Sequence, residues 1–171
     1  MAEQGIHIRP ATPDDIDLIL SLIRELAEYE RAPDQAVASP ELIRTHLFGP
    51  GLGRGPTAEC LIGSVDGVPQ GFVVYFHNFS TWVGRPGLFL EDLFVRPAAR
   101  GRGLGKALFL AVADIARARG CRRLDWMVLD WNTPAIEFYR RMGAEPMNEW
   151  TTFRLSGDAL DRAALARSTT A

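Results

Sequence analysis

The spacing of apolar residues along the first fifty positions predicts a short strand followed by two helices. Residues 6–9 are predicted to form the strand, and Thr12-Pro13-Asp14-Asp15 then combines a capping hydroxyl, a proline and first-turn acids, as helix starts do. From there apolar residues recur at the helical period to about Tyr29. Ser39-Pro40-Glu41 predicts a second, shorter helix that ends at Gly49.

From residue 57 the pattern becomes that of strands. The β-branched and aromatic runs CLIGSV and GFVVYFHNF meet near Asp66-Gly67, which predicts an antiparallel hairpin. The run LFLEDLFV, a glycine-rich segment, a helix to about Arg119 and a strand within RRLDWMVLDW then predict a β-α-β unit. A helix from Asn132 to about Met142, a strand at residues 151–155 and a short helix after Ser156 complete the prediction.

Composition and charge narrow the class of protein. The chain has 171 residues, 47% hydrophobic and 23% charged, and no linker or repeat divides it, so one domain covering residues 1–171 is predicted. A net charge of -2 argues against nucleic acid as a partner. No apolar stretch approaches the roughly 18 residues that a membrane span needs, and no cationic leader is seen at the start, so we expect a cytoplasmic protein without a membrane partner.

The cysteines and histidines do not suggest a metal centre. Cys60 and Cys121 stand apart from each other and show no ligand-like spacing with His7, His46 or His77. We therefore expect two buried thiols and no bound metal.

The segment RGRGLGK at residues 100–106 is the strongest chemical signal. Backbone amides that converge at a helix start, together with the helix dipole, form an anion site, and glycine lets the backbone approach the ligand. Gly101, Gly103 and Gly105 can supply such a backbone, and cationic side chains surround them. A phosphate site is favoured over a solvated flexible turn.

Two familiar phosphate loops fit the spacing poorly. A nucleoside-triphosphate loop needs a glycine where Arg100 stands and a hydroxyl residue where Ala107 stands. The dinucleotide fingerprint needs its third glycine one place later than Gly105, although Asp125 does follow at about the expected distance. A dinucleotide-binding oxidoreductase therefore remains the second choice for the loop.

Two motifs together resemble the GNAT superfamily of acyl-CoA-dependent N-acetyltransferases. Arg100, Gly103 and Gly105 match the family's pyrophosphate loop, Arg/Gln-x-x-Gly-x-Gly/Ala. The later segment NTPAIEFYRRMGA matches Asn-x-x-Ala-x-x-Phe-Tyr-x-x-x-Gly, from Asn132 to Gly143. The segments IRPATPDDI, LIRELAEYE and LEDLFV further resemble the branch of diamine (spermidine/spermine) acetyltransferases.

This resemblance implies a fold, a cofactor and an assembly. The expected fold is α/β (α+β), a mixed and largely antiparallel sheet of six to seven strands flanked by helices. Acetyl-CoA is the expected donor, and a homodimer is the expected assembly. The implied cofactor-binding residues are Leu93, Phe94, Val95, Arg100, Gly101, Arg102, Gly103, Leu104, Gly105, Lys106, Asn132, Ala135 and Tyr139.

Acetyl transfer to an amine needs a base and an acid. An alkylamine with a pKa near ~10 is mostly protonated at neutral pH, so a group must take its proton, and a second group must stabilise the leaving thiolate. The resemblance gives these roles to Glu91, acting directly or through water, and to Tyr139. The alternatives are a strand carboxylate that is satisfied structurally and an aromatic residue that only fills space.

The acceptor is expected to be a small cationic amine. The resemblance places Tyr29, Glu30, Glu91, Asp125, Trp126 and Met127 around it. An acid at the end of the first helix opposes the helix dipole, which a cationic ligand would justify, but an ordinary solvated acidic face explains it equally well. Side chains around Asp125 differ from those of the diamine branch, which weakens a specific polyamine assignment.

Three readings of function follow from these residues. The leading one is an acetyl-CoA-dependent N-acetyltransferase that acts by direct attack of a diamine, a polyamine or a lysine-like amino acid. The same reaction on a protein or antibiotic amine is an alternative. A non-catalytic acyl-CoA sensor would keep the glycine loop and lose the catalytic pair, whereas Glu91 and Tyr139 are both present.

Overall fold

The computed structural model describes residues 5–53 and 55–166. Short helical turns at Pro13–Asp15, Pro33–Gln35, Arg44–Phe48 and Pro97–Ala99 join the main elements. In chain order those elements are β1 (Ile6–Pro10), α1 (Ile16–Tyr29), α2 (Pro40–Ile43), β2 (Glu59–Val65), β3 (Val68–Ser80), β4 (Arg85–Val95), α3 (Leu104–Ala118), β5 (Leu124–Trp126), α4 (Thr133–Arg141) and α5 (Asp158–Leu165).

The strands form one sheet in the order β1-β2-β3-β4-β5. The first four are antiparallel, and β5 joins β4 in parallel after the crossover through α3, which confirms the predicted β-α-β unit. Asp66 and Gly67 connect β2 to β3 with φ angles of 52° and 79°. Positive φ at both positions is what a tight two-residue hairpin turn requires.

Three sequence predictions need correction. The sheet has five strands in the described residues rather than six to seven. Residues 151–155 form no strand, and the Phe153 side chain there is 91% exposed, so burial against a sheet does not stabilise an extended pairing. Cys60 is buried as expected, but Cys121 is only partly buried because it lies just beyond the end of α3.

Helices α1 and α3 cover opposite faces of the sheet. Ile19 and Leu22 of α1 pack in one buried cluster with Ile62 of β2. The next residue of that strand, Gly63, faces α3, where an added Cβ would lie 2.8 Å from Leu104 Cδ1. Successive residues of a strand point to opposite faces of the sheet, so Ile62 faces α1 and the next residue, Gly63, faces α3.

The chain divides into two compact units, and the boundary falls between Met127 and Val128. The first unit holds the sheet with α1 to α3, and the second holds α4 and α5. The single domain predicted for residues 1–171 stays a prediction, and its two ends and residue 54 lie outside the described residues. No helix in the described part of the chain has the length and apolar character to cross a membrane.

Candidate active site

The glycine loop connects the end of β4 to the start of α3. Gly101 has φ of 75°, and Gly103, the residue that precedes the first helical turn, has φ of 92°. A side chain at such angles is strained, so these two positions require glycine for conformational reasons. Leu104 then starts α3 with its side chain 1% exposed, which anchors the loop to the core.

The loop presents a row of backbone donors. Ala107 N donates to Gly103 O at 3.0 Å, the first bond of the helical ladder. Among the residues that the structure describes, none accepts a hydrogen bond from the backbone amides of residues 101–106. Unpaired amides at the positive end of a fifteen-residue helix favour a bound anion.

Two of the three predicted cations in this segment have partners within the protein. Arg102 forms an ion pair with Asp66 in the β2–β3 turn at 2.6 Å. Arg100 Nε donates to Val95 O at 2.9 Å, and its guanidinium lies 4.6 Å from the centre of the Tyr29 ring. Lys106 is exposed in the first turn of α3. Arg100 thus joins the glycine loop to the end of α1, where the acceptor residues were predicted.

Strand β4 continues beyond the end of its neighbour β5. The two strands pair only at Leu88–Leu90 with Leu124–Trp126, whereas residues 92–95 of β4 pair with β3 alone among the described residues. One backbone edge of Leu93, Phe94 and Val95 therefore has no strand beside it. The side chains of Phe94 and Val95 are buried in the core, so the groups that this edge can offer to a ligand are those of the backbone.

The register of β3 and β4 slips at Glu91. Val74 lies opposite Asp92 and Tyr75 lies opposite Leu90, so Glu91 is an extra residue that forms a β-bulge. The bulge leaves Glu91 exposed and Asp92 partly buried. Simple alternation of side chains between the two faces of the strand therefore does not hold at Glu91 and Asp92.

Three carboxylates gather near this bulge. Burial, together with the negative charges of Glu91 and Glu30, raises the pKa of Asp92 to about 7. Loss of water around the Glu30 carboxyl also raises the pKa of that group. No arginine or lysine in the described ranges forms an ion pair with any of the three. A cationic ligand would compensate this charge.

The predicted acceptor residues on β5 have partners of their own. Asp125 accepts a hydrogen bond from Asn78 Nδ2 at 2.9 Å and forms an ion pair with Arg123 at 2.8 Å. Trp126 packs edge-on against Phe109, with ring centres 5.4 Å apart. The charge of Asp125 is therefore already balanced. Met127 is 54% exposed and is the last residue of the first unit.

The second motif lies in the other unit, on α4. The buried Asn132 caps this helix, because its Oδ1 accepts from Ala135 N at 3.4 Å. Tyr139 is partly buried, and its ring meets that of Phe138 at 5.2 Å in an edge-to-face arrangement. Gly143 follows the helix with φ of 87°. Asn132 therefore has a capping role, and its cofactor contact stays a prediction, like those of Ala135 and Tyr139.

Comparison with known proteins identifies the family. The model of the acetyltransferase (GNAT) family matches residues 19–144, which is most of the chain and includes both motifs. The chain belongs to this family. As a GNAT protein it is an N-acetyltransferase, and the resemblance drawn from the two motifs is confirmed.

Three relatives of this GNAT protein are named as acetyltransferases of small amines or as similar to one. A thialysine N-epsilon-acetyltransferase of Bos taurus is 40% identical over 166 residues, covering 91% of this chain and 95% of the relative. The L-ornithine N5-acetyltransferase NATA1 of Arabidopsis thaliana is 32% identical, covering 90% and 86%. The spermidine/spermine N(1)-acetyltransferase-like protein 1 of Homo sapiens is 31% identical over 90% of this chain and 23% of its own length.

The structure adds residues to the GNAT site that sequence reasoning missed. The resemblance assigns the base to Glu91 and gives no role to its neighbour Asp92, although two adjacent acids in an apolar strand are visible in the sequence. Asp66 fixes Arg102, and Arg123 neutralises Asp125. Asp66 carried no usable signal, because it meets Arg102 only after the hairpin and the helix have packed.

Proposed function

We propose that the protein transfers the acetyl group of acetyl-CoA to the terminal amine of a small cationic acceptor, either a diamine or polyamine or a lysine-like amino acid. The observation that carries this proposal is the row of unpaired amides at residues 101–106, close in sequence to the uncovered edge of β4. The unpaired amides suit a diphosphate, and the strand edge suits an extended arm that contains amide groups.

The proposed cofactor site uses backbone more than side chains. Amides of residues 101–106 would hold the diphosphate, with Lys106 adding charge, and the edge at Leu93, Phe94 and Val95 would bind the pantetheine arm. When bound, acetyl-CoA supplies an activated thioester. Family position assigns Asn132 and Ala135 to the same cofactor.

The acceptor is proposed to bind at the carboxylates near the β4 bulge. An ammonium group there would be attracted by Glu30, Glu91 and Asp92, which have no cationic partner in the described chain. Tyr29 borders this region and is fixed by its contact with Arg100. Asp125, Trp126 and Met127 are proposed to line the acceptor without supplying its main charge.

Asp92 can assist removal of the amine proton. An ordinary carboxyl lies about six pKa units below an alkylammonium with a pKa near ~10, which makes proton transfer costly. A carboxyl with a pKa of about 7 narrows this gap to about three. We propose that Glu91, exposed at the bulge, contacts the acceptor, and that the proton is shared with Asp92 directly or through water.

Tyr139 is proposed as the acid. A phenol can donate a hydrogen bond or its proton to a sulfur that gains negative charge, and we propose that Tyr139 Oη does so here. This role rests on the place of Tyr139 in the family motif NTPAIEFYRRMGA. A homodimer and a cytoplasmic location are proposed on family grounds only.

The test is acetyl transfer to a panel of amines. Purified protein and acetyl-CoA are mixed with thialysine, ornithine, spermidine, an aminoglycoside or a peptide, and release of free thiol is followed. We expect amine-dependent release with one or more of the three small acceptors. Binding of acetyl-CoA without release in any mixture would instead indicate a sensor. Release with the peptide or aminoglycoside alone would move the acceptor to those classes.

A further inference from the structure

A pocket that the proposed reaction does not use lies at the far end of α3. It has a volume of about 420 Å³, is open to solvent and is lined by four arginines: Arg85 at the start of β4, Arg117 in the last turn of α3, and Arg122 and Arg123 in the connection to β5. We refer to these four residues and the space between them as the arginine recess. The glycine loop begins the same helix, so the recess is at the opposite end of α3.

Small residues keep the floor of the recess open. Ala113, Ala116 and Gly120 line it, so no bulky side chain fills the space between the guanidinium groups. Gly120, with φ of 71°, ends the helix and donates to Arg117 O at 3.1 Å, while Cys121 N donates to Ala116 O at 2.9 Å. The carbonyls of Ala116 and Arg117 are therefore satisfied by backbone amides and not by the arginines of the recess.

The charge in the recess is only partly balanced. Arg123 pairs with Asp125 at 2.8 Å, and Arg117 approaches Asp114 no closer than 4.0 Å in an exposed pair. Within the described residues, Arg85 and Arg122 form no ion pair. A protein of net charge -2 thus gathers four cations around one cavity. The helix dipole favours one cation at this end, which accounts for Arg117 and not for the others.

One wall of the recess is held in place by the sheet. Gly87 lets the Arg123 side chain lie across β4, since a Cβ there would be 2.9 Å from Arg123 Cγ. The pair with Asp125 fixes the guanidinium, and Asn78 Nδ2 holds the same carboxylate. A fixed guanidinium binds an oxyanion with a smaller loss of side-chain freedom than a mobile one.

We propose that the arginine recess binds a small dianion of phosphate or dicarboxylate chemistry. Guanidinium groups donate paired hydrogen bonds to planar carboxylates and to tetrahedral phosphates. The volume of about 420 Å³ accommodates a small organic anion as well as an inorganic one. This site is separate from the diphosphate site and takes a ligand of opposite charge to the acceptor.

The test is an NMR titration of the whole chain with the glycine loop saturated by coenzyme A, so that added anions do not report on that loop. Inorganic phosphate and malonate are titrated separately at constant ionic strength, with chloride as the reference. We expect amide signals of residues 117–124 to shift with saturation, and the tighter of the two midpoints identifies the preferred chemistry. Shifts equal to those with chloride would overturn the proposal.

Matched charge variants separate a site from a general surface effect. Arg85→Gln with Arg122→Gln should weaken binding of the preferred anion by about tenfold or more, because two charged hydrogen-bonding groups are lost. Arg154→Gln with Arg162→Gln removes the same charge from exposed positions in the second unit and should change nothing. Equal weakening in both double variants would contradict a defined site. Arg122→Gln alone serves if the first pair fails to fold.

Discussion

Two glycines at the start of α3, Gly103 and Gly105, are expected to change the free energy of unfolding in opposite directions when each is replaced by alanine. Gly103 has φ of 92° and precedes α3, whereas Gly105 lies within the helix and has no positive φ. A Cβ at Gly103 would lie 3.5 Å from Ile6 Cδ1, and one at Gly105 would lie 3.7 Å from Val95 Cγ2. Both contacts are ordinary, so backbone conformation alone distinguishes the two substitutions.

The expected magnitudes follow from that conformation. Gly103→Ala forces a side chain into the left-handed region and should lower the free energy of unfolding by about 1–2 kcal/mol. Gly105→Ala restricts the unfolded chain at a compatible position and should raise it by about 0.4–1 kcal/mol. For a chain of this size each kcal/mol moves the midpoint of thermal unfolding by about 2–4 °C.

Urea unfolding and calorimetric titration with coenzyme A measure the two consequences. Gly103→Ala should also weaken coenzyme A binding, because relief of the strain redirects the amides of residues 101–106. Gly105→Ala is the control for the loss of a glycine as such. If Gly103→Ala unfolds at the wild-type urea concentration and binds coenzyme A as tightly as Gly105→Ala does, the loop conformation described above is wrong.

The remaining predictions concern the carboxylates and the phenol. Because the folded-state pKa of Asp92 is raised to about 7, its protonated form stabilises the fold at low pH, and this contribution is lost as pH rises from about 4 to 7. Asp92→Asn should therefore gain stability relative to wild type between pH 5 and pH 8 in urea unfolding, and a difference that does not change with pH would contradict the buried acid. Tyr139→Phe should lower kcat by about 10²-fold with little change in the Kd of acetyl-CoA, and unchanged turnover would remove Tyr139 from the mechanism. Glu30→Gln should raise the amine KM up to about fivefold, whereas Glu28→Gln, two residues earlier in the last turn of α1, should not; equal effects would indicate a general charge contribution.

Local signals in the sequence predicted much of the fold. The Asp66-Gly67 turn, the capped helix starts and the glycine loop each depend on residues within a few positions of one another. These elements lie in the structure where they were predicted. The strand expected at residues 151–155 fails because pairing needs a partner, and strand propensity carries no information about whether one is present.

The electrostatics of the site could not be predicted in the same way. Glu30 and Asp92 are 62 positions apart, and they interact only because α1 packs on the sheet beside β4. Arg100 and Arg102 were expected to serve a bound phosphate, but a carbonyl and a carboxylate of the chain itself engage them. Which cation remains available to a ligand is decided by tertiary contacts and not by spacing.

The uncovered backbone of β4 also bears on handling of the protein. An unpaired strand edge is a template on which another polypeptide can add a strand, which is a route to aggregation, and residues 92–95 of β4 have no second strand beside them in the described part of the chain. A ligand that occupies residues 92–95 closes this route. Preparations kept with coenzyme A should therefore stay dispersed at concentrations where the bare enzyme precipitates, and light scattering would show it.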